Sequence, residues 1–268
     1  GLKRDTIDKF YTKKVTVNKC IKKVKKYIGV NGDDLIIEPS AGNGSFIKKI
    51  KKLSNNYMLF DISPEHKDII KQNFLEFDED SIDNKYNNIH IIGNPPFGRQ
   101  SSMAIKFIKK CCYFANSISF ILPKSFKKDS MKKHFNLNYH LIYEMDLKEK
   151  SFLIDNIETD VPCVFQIWQY KEVKRSVTPK LTPISFKFVK KDNSPDISFR
   201  RVGVYAGKLS TDIKDKSIQS HYFIKFTNNK TLDNNINSLS NIIFNTNNTV
   251  GPKSISKQEL IKEFNNVL

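Results

Sequence analysis

An apolar run that breaks at a glycine-rich turn and resumes as a helix limits this chain more than any other feature. Asp34-Leu35-Ile36-Ile37-Glu38 reads as a strand. It runs into Pro39-Ser40-Ala41-Gly42-Asn43-Gly44-Ser45-Phe46, after which the apolar spacing predicts a helix from Phe46 to Leu53. Strand, glycine turn and helix form the first unit of a nucleotide-binding sheet. Gly42 and Gly44 carry no Cβ, so the backbone there can approach a ligand closely. The spacing is neither the dinucleotide G-x-G-x-x-G nor a P-loop, which needs Gly-Lys-Ser/Thr.

The next segments repeat the alternation. Tyr57-Met58-Leu59-Phe60-Asp61 is a second strand, and Ile62-Ser63-Pro64 is expected to open a helix. An acid at this strand end, about 20 residues past the glycine turn, can take both hydroxyls of a ribose; the plainer alternative is a turn or capping residue. Gln72-Asn73-Phe74-Leu75 closes a third unit. Ile89-His90-Ile91-Ile92 reads as a buried strand and ends at Gly93-Asn94-Pro95-Pro96-Phe97-Gly98. Two consecutive prolines cannot continue a sheet, so the chain leaves the strand in a fixed extended shape. The Asn94 side-chain oxygen and the Pro95 carbonyl can accept both N–H bonds of a planar amine, and Phe97 can stack on its ring. An amide has no useful pKa, so Asn94 would orient and polarise rather than act as a base. The plainer alternative is a Pro-Pro turn followed by a core phenylalanine.

The glycine-turn pattern Glu-Pro-Ser-Ala-Gly-x-Gly-x-Phe resembles the donor-binding motif of S-adenosylmethionine (SAM) methyltransferases. Asn94-Pro95-Pro96-Phe97 resembles the catalytic motif of the class I adenine N6-methyltransferases acting on nucleic acid. Tyr11-Thr12 is similar to the pair that closes over the donor in many of these enzymes. The order of the motifs matches family members whose recognition part lies C-terminal, and the resemblance covers about the first 170 residues. It implies a Rossmann-like SAM methyltransferase fold: an α/β, seven-stranded, mostly parallel sheet with an antiparallel edge hairpin, plus a small β-rich C-terminal annex. It also implies S-adenosylmethionine as cofactor, bound by Tyr11, Thr12, Glu38, Pro39, Ser40, Gly42, Gly44, Asp61, Ile62, Asn73, Phe74 and Asn94. Glu38 would face the donor's amino group, and Asn73 stands where the family usually has Asp. Catalysis would rest on Asn94, Pro95, Pro96 and Phe97, and substrate contacts on Phe97, Arg99 and Phe152, with the target base flipped out of its stack. Arg99 reads equally as a solvated loop residue, and Phe152 as an ordinary buried one. Two other functions stay open: protein glutamine N5-methylation, and a catalytically silent nucleic-acid-binding subunit of a methyltransferase complex.

Helical spacing recurs over Val15–Ile28, with lysines on the other face, and over about Met103–Ala115. Ile118–Pro123, Tyr139–Met145 and Val161–Trp168 read as further strands, the last two pairing as an antiparallel hairpin. From Lys171 the pattern changes. This gives a catalytic domain over 1–170 and a basic recognition region over 171–268. The latter holds short β-like runs (Ile184–Val189, Ile197–Val204, Tyr222–Phe226), a loop-prone stretch from Asn228 to Thr249, and a final helix Lys257–Val267 capped by Ser256.

The chain has 268 residues, 45 Lys+Arg against 28 Asp+Glu, and a formal charge of +17. That balance points to a polyanion, although a Lys-, Asn- and Ile-rich mixture also follows from AT-rich coding; the resemblance serves DNA and RNA alike, with DNA slightly favoured. Residues 171–268 are the more basic per residue and the better candidate for gripping it. Cys20, Cys111, Cys112 and Cys163 lack metal-ligand spacing, so reduced cysteines, an intracellular location and no bound metal are expected. No apolar run reaches the length of a membrane span, and a partner subunit is possible.

Overall fold

The computed structural model describes residues 10–154, 156–177, 179–244 and 253–268. The chain divides into two units, Gly1–Ser176 and Val177–Leu268, a few residues past the division expected after 170.

In the first unit the elements are β1 (Tyr11–Thr12), α1 (Lys14–Tyr27), β2 (Leu35–Glu38), α2 (Ile47–Ile50), β3 (Asn56–Asp61), β4 (Ile70–Lys71), β5 (Ile89–Gly93), α3 (Ser102–Cys111), β6 (Ser117–Pro123), α4 (Asp129–Lys132), β7 (Tyr139–Asp146), β8 (Phe152–Ile154), β9 (Ile157–Thr159) and β10 (Cys163–Tyr170). Seven of these strands form one sheet in the order β4-β3-β2-β5-β6-β10-β7. Strands β2 to β6 pair in parallel, and β10 runs antiparallel between β6 and β7. This is a Rossmann-like α/β sheet.

Period-two alternation splits the strand side chains between two cores. Leu35 and Ile37 join Phe107 and Ile108 of α3 on one face. Ile36 and Ile92 join Val17, Ile21 and Val24 of α1 and Ile47 and Ile50 of α2 on the other. Both faces are covered, as a parallel sheet requires. Each such aliphatic side chain contributes about 1.5–3 kcal/mol relative to exposure.

Three local expectations need correction. The helix expected over Phe46–Leu53 is only the four residues of α2. No helix follows Ile62: the Ser63 N–H donates to Asp61 Oδ1 (2.8 Å) and the Glu65 N–H to the Gly42 carbonyl (3.0 Å), which pins this segment onto the glycine turn. The link between β7 and β10 is not a plain loop. It forms the hairpin β8–β9, and β8 pairs antiparallel with β1.

The second unit contains β11 (Phe186–Val189), β12 (Ile197–Arg200), β13 (Leu209–Ser210), β14 (His221–Phe226), α5 (Leu232–Ser240) and α6 (Lys257–Val267). Its strands are all antiparallel, in the order β11-β14-β12-β13. Ser256 opens α6 with a capping box: its Oγ accepts from the Glu259 N–H (3.2 Å), and Glu259 Oε2 accepts from the Ser256 N–H (2.7 Å). Helix α5 lies in the stretch read as loop-prone. Thr231 caps it, Leu239 is buried, and the fully buried Asn235 exchanges two amide hydrogen bonds with Asn228. With helices of 9 and 11 residues beside four short strands, the unit is mixed α+β rather than β-rich. Residues 245–249 of the loop-prone stretch lie outside the described residues.

Candidate active site

The strand order turns back between β2 and β5: the chain builds β3 and β4 on one side of β2, then returns to lay β5 on the other. Crevices at the carboxyl ends of strands collect ligands at such a point. Here those ends are Glu38 and Gly93. A Cβ on Gly93 would stand 3.3 Å from Glu38 Cγ, so the glycine lets the two ends lie together. The Ser40 hydroxyl donates to the Asn94 carbonyl at 3.1 Å and joins the two loops. A cavity of about 250 Å³ opens above them.

Each side of the cavity has a separate local cause. The glycine turn is held by the Asp61 carboxylate, which accepts the Gly42 N–H on Oδ2 (2.8 Å) and the Ser63 N–H on Oδ1. Each oxygen keeps a second lone pair. Gly42 has φ +52°, and a Cβ there would meet the Tyr11 ring at 3.2 Å. The Tyr11 hydroxyl donates to Glu65. Asn73 caps the turn Phe74–Glu76: its Oδ1 accepts from the Leu75 N–H (3.1 Å), and its Nδ2 donates to Glu76 (2.7 Å). After Phe97 the chain reverses sharply. Gly98, Gln100 and Ser101 all have positive φ, and the Met103 and Ala104 N–H groups share the Phe97 carbonyl. Left-handed non-glycine residues such as Gln100 and Ser101 cost on the order of 1–3 kcal/mol each and cluster at working loops.

Among the described residues, three buried side-chain oxygens have no hydrogen-bond partner within the protein: Glu38 Oε2, Asn94 Oδ1 and Ser119 Oγ. The first two residues line this cavity. Glu38 is 2% exposed; burial, with the Asp61 charge nearby, pushes its carboxyl well above the usual carboxylate range. The Asn94 amide is fixed by its other end, since Nδ2 donates to the Phe10 carbonyl at 3.0 Å. Phe10 O accepts only, so the amide cannot be turned over, and Oδ1 must be the atom left unpaired.

The cavity gathers Tyr11, Thr12, Glu38, Pro39, Ser40, Gly42, Asp61, Ile62, Asn73, Phe74, Asn94, Pro95, Pro96 and Phe97. Gly44 does not line it. That residue shapes the turn, with φ +81° and no room for a Cβ, which would stand 2.6 Å from Ile47 Cδ1. Arg99 is exposed and lies outside the cavity. Phe152 requires correction. It is fully buried in β8, opposite Thr12, and meets the Phe10 ring edge-on at 6.4 Å; it belongs to the core and does not line the cavity. Phe10 was missed by the sequence reading. It lines the cavity, holds Asn94 and lies nearly parallel to Phe97, with centroids 6.4 Å apart. Only its place next to Tyr11-Thr12 could have signalled it. Among the described residues no group of His, Cys, Asp and Glu could hold a metal ion, and no helix is long and apolar enough to cross a membrane.

The sheet order and the crevice at its turning point together define a Rossmann-like α/β protein with a ligand pocket. No protein-family model matches the sequence, and no curated protein matches it. Solved structures resemble it in fold. One is the 23S rRNA methyltransferase ErmE, at 10% identity and TM-score 0.46, covering 62% of this chain and 71% of that one. Another is a Thermoplasma acidophilum protein, at 20% identity and TM-score 0.44, covering 60% and 89%. A third is the methyltransferase subunit of a type I restriction-modification system from Streptococcus thermophilus, at 13% identity and TM-score 0.47. That match covers 63% of this chain and 46% of the subunit.

Proposed function

We propose that this chain is a SAM-dependent methyltransferase that transfers a methyl group to the N6 amine of adenine in nucleic acid, with DNA the first substrate to test. The observation that carries the reading is Asn94: a buried amide oxygen without a partner, held in place by an amide nitrogen that has one. A buried unsatisfied acceptor costs about 1–3 kcal/mol and is retained where something binds it.

The residues fit the cofactor. Glu38 offers an unpaired carboxylate oxygen suited to an ammonium group, and the spare lone pairs of Asp61 suit ribose hydroxyls. Gly42 leaves space that a Cβ would fill, and Ile62, Phe74 and Leu75 supply an apolar wall for a purine. When bound, S-adenosylmethionine supplies an electrophilic methyl group. Asn94 Oδ1 and the Pro95 carbonyl accept the two N–H bonds of the target amine and draw its lone pair out of conjugation with the ring. Pro95 and Pro96 keep these acceptors from relaxing. Phe97, with Phe10 beside it, holds the base flat, a contact worth about 1–3 kcal/mol. Held in this way, the amine nitrogen would be placed to take the methyl group that the donor supplies. The methylated amine then loses a proton to water, because as a cation it is a strong acid, so no general base is needed.

The test is donor binding by calorimetry, followed by transfer of labelled methyl from donor to adenine-containing single-stranded DNA, duplex DNA and RNA. Label should enter at least one of these and no oligonucleotide lacking adenine. Donor binding without transfer to any nucleic acid would overturn the reading, and label entering a glutamine peptide instead would replace it.

A further inference from the structure

Beside the pocket lies a second cavity of about 250 Å³, lined by Thr12, Lys14, Val17, Asn18, Ser45, Lys48 and Lys49. Thr12 and Ser45 line both cavities, so the two share a wall. We propose that this cavity binds a backbone phosphate of the nucleic-acid strand whose base enters the neighbouring pocket. The inference rests on the methyltransferase reading above and assigns the first strand grip to the α1–α2 face of the catalytic unit itself.

The argument is one of charge without counter-charge. Helix α1 has six lysines among its 14 residues and no acid. The segment from Phe46 to Leu53 adds four lysines and again no acid. The apolar residues between these lysines account for the packing: Val17, Ile21, Ile47 and Ile50 are buried in a common core. Packing explains why α1 and α2 lie together but not why their charged positions are all cationic. Nearby lysines do find partners. Lys13 pairs with Glu158, and Lys51 with Asp68 at 2.6 Å. Lys14, Lys48 and Lys49 form no ion pair with any acid among the described residues, although all three line one small cavity. Lysines that line one space bring positive charges near each other, and an anion there relieves their repulsion. Asn18 adds a neutral amide donor to the same wall, while the Ser45 hydroxyl already donates to Asn43 Oδ1 at 2.7 Å. Three cations with an amide donor are a set for phosphate oxygens, which Lys binds as a point charge.

The position favours a strand phosphate over a free one. A base flipped into the pocket stays joined to its own phosphates, so a cationic cavity sharing the pocket's wall lies within a nucleotide's reach. The cavity would then fix the register of the strand without reading its sequence.

The experiment replaces Lys14, Lys48 and Lys49 together by glutamine in the full chain. No ion pair among the described residues is lost, so folding should survive, and donor affinity by calorimetry should stay within twofold as the control. Binding of a fluorescent single-stranded DNA is then measured against salt. Loss of this one phosphate contact should lower the magnitude of the log K against log[salt] slope by about 0.7 and weaken binding roughly tenfold at physiological salt. A methylphosphonate linkage next to the target nucleotide should weaken binding to the parent protein and have no effect on the triple variant. Unchanged slope and affinity in the variant would overturn the proposal, as would an inorganic phosphate site that is lost with the lysines while DNA binding is kept. Failure of the methyltransferase reading would appear separately, as a parent protein that binds no donor.

Discussion

Asn94 and Phe10 are 84 residues apart in the chain, yet the Asn94 side-chain N–H donates to the Phe10 carbonyl at 3.0 Å. This contact makes the amide a fixed device. It uses the donor end, leaves the acceptor end free, and places the Phe10 ring beside Phe97. The same β1 segment is anchored from behind by β8, whose Phe152 packs against Phe10.

Replacing Asn94 should therefore separate chemistry from cofactor binding. Asn94→Ala removes the acceptor and is expected to lower turnover by at least about 100-fold, the scale of losing one preorganised electrostatic contact. Donor affinity should stay within a few fold. Asn94→Asp should do no better, because a carboxylate cannot donate to the Phe10 carbonyl. Single-turnover kinetics with labelled donor checks both.

Gly42 and Gly29 offer a matched pair. Both have positive φ, +52° and +68°, so alanine at either is expected to cost about 1–2 kcal/mol of stability. Only Gly42 lies under the Tyr11 ring; nothing stands within 4 Å of a Cβ at Gly29. Gly42→Ala should weaken donor binding on the order of tenfold, the equivalent of about 1.4 kcal/mol, and Gly29→Ala should leave it unchanged. Thermal melts and calorimetry give the two readings.

Glu38 sets a pH dependence whose sign follows from its burial. Burial first, and then the Asp61 charge, raise the carboxyl pKa above its ordinary 4.5 in the folded chain. The folded state then holds a proton that the unfolded state releases, so this group's contribution to stability declines as pH rises from 4.5 toward the raised value. A cationic ligand wants the ionised form, so donor affinity should increase over the same range. Glu38→Gln should be more stable than the parent above that window, bind donor more weakly and lose the pH dependence. Chemical denaturation and calorimetry across pH test each part.

At the far end of the sheet, His90 Nε2 lies 3.2 Å from Asp34 Oδ2, and its Nδ1 lies 2.8 Å from Ser117 Oγ. Burial raises the Asp34 carboxyl, but hydrogen bonds from Asn31, Asn88 and His90 outweigh it and hold the group low. Burial also lowers His90 below 6.5, against the pull of Asp34. Both folded values lie under the unfolded ones, so the His90 contribution is present above about 6.5 and is lost as pH falls below it, whereas the Asp34 contribution is lost only below 3.8. Asp34→Ala should cost about 1–3 kcal/mol, since it leaves the buried His90 and the half-buried Asn88 without their partner. Urea denaturation at pH 7 and pH 5 measures this.

Where local chemistry decides, the sequence was readable. The glycine turn, Asp61 and Asn94–Phe97 each announce a strand end, and the order of strand ends along the chain implies the crevice. The capped helix α6 was legible for the same reason, because Ser256 and Glu259 satisfy its first turn locally. What escaped depends on distant pairing. Phe152 looks like a loop aromatic until β8 is known to pair with β1. Phe10 contributes a backbone carbonyl, which no side-chain pattern reports. The helix expected after Asp61 is absent because its N–H groups are spent on holding the glycine turn. Helix α5 hides in an Asn- and Ser-rich stretch of weak intrinsic preference, where the Asn235–Asn228 amide pair and the burial of Leu239 override composition.

The most direct measurement is mass spectrometry of the nucleosides released from single-stranded DNA, duplex DNA and RNA after incubation with donor and either the parent chain or Asn94→Ala. The account predicts N6-methyladenine from at least one nucleic acid with the parent and a loss of at least about 100-fold with the variant. A methylated base other than N6-methyladenine, or equal yield from the two proteins, would contradict it.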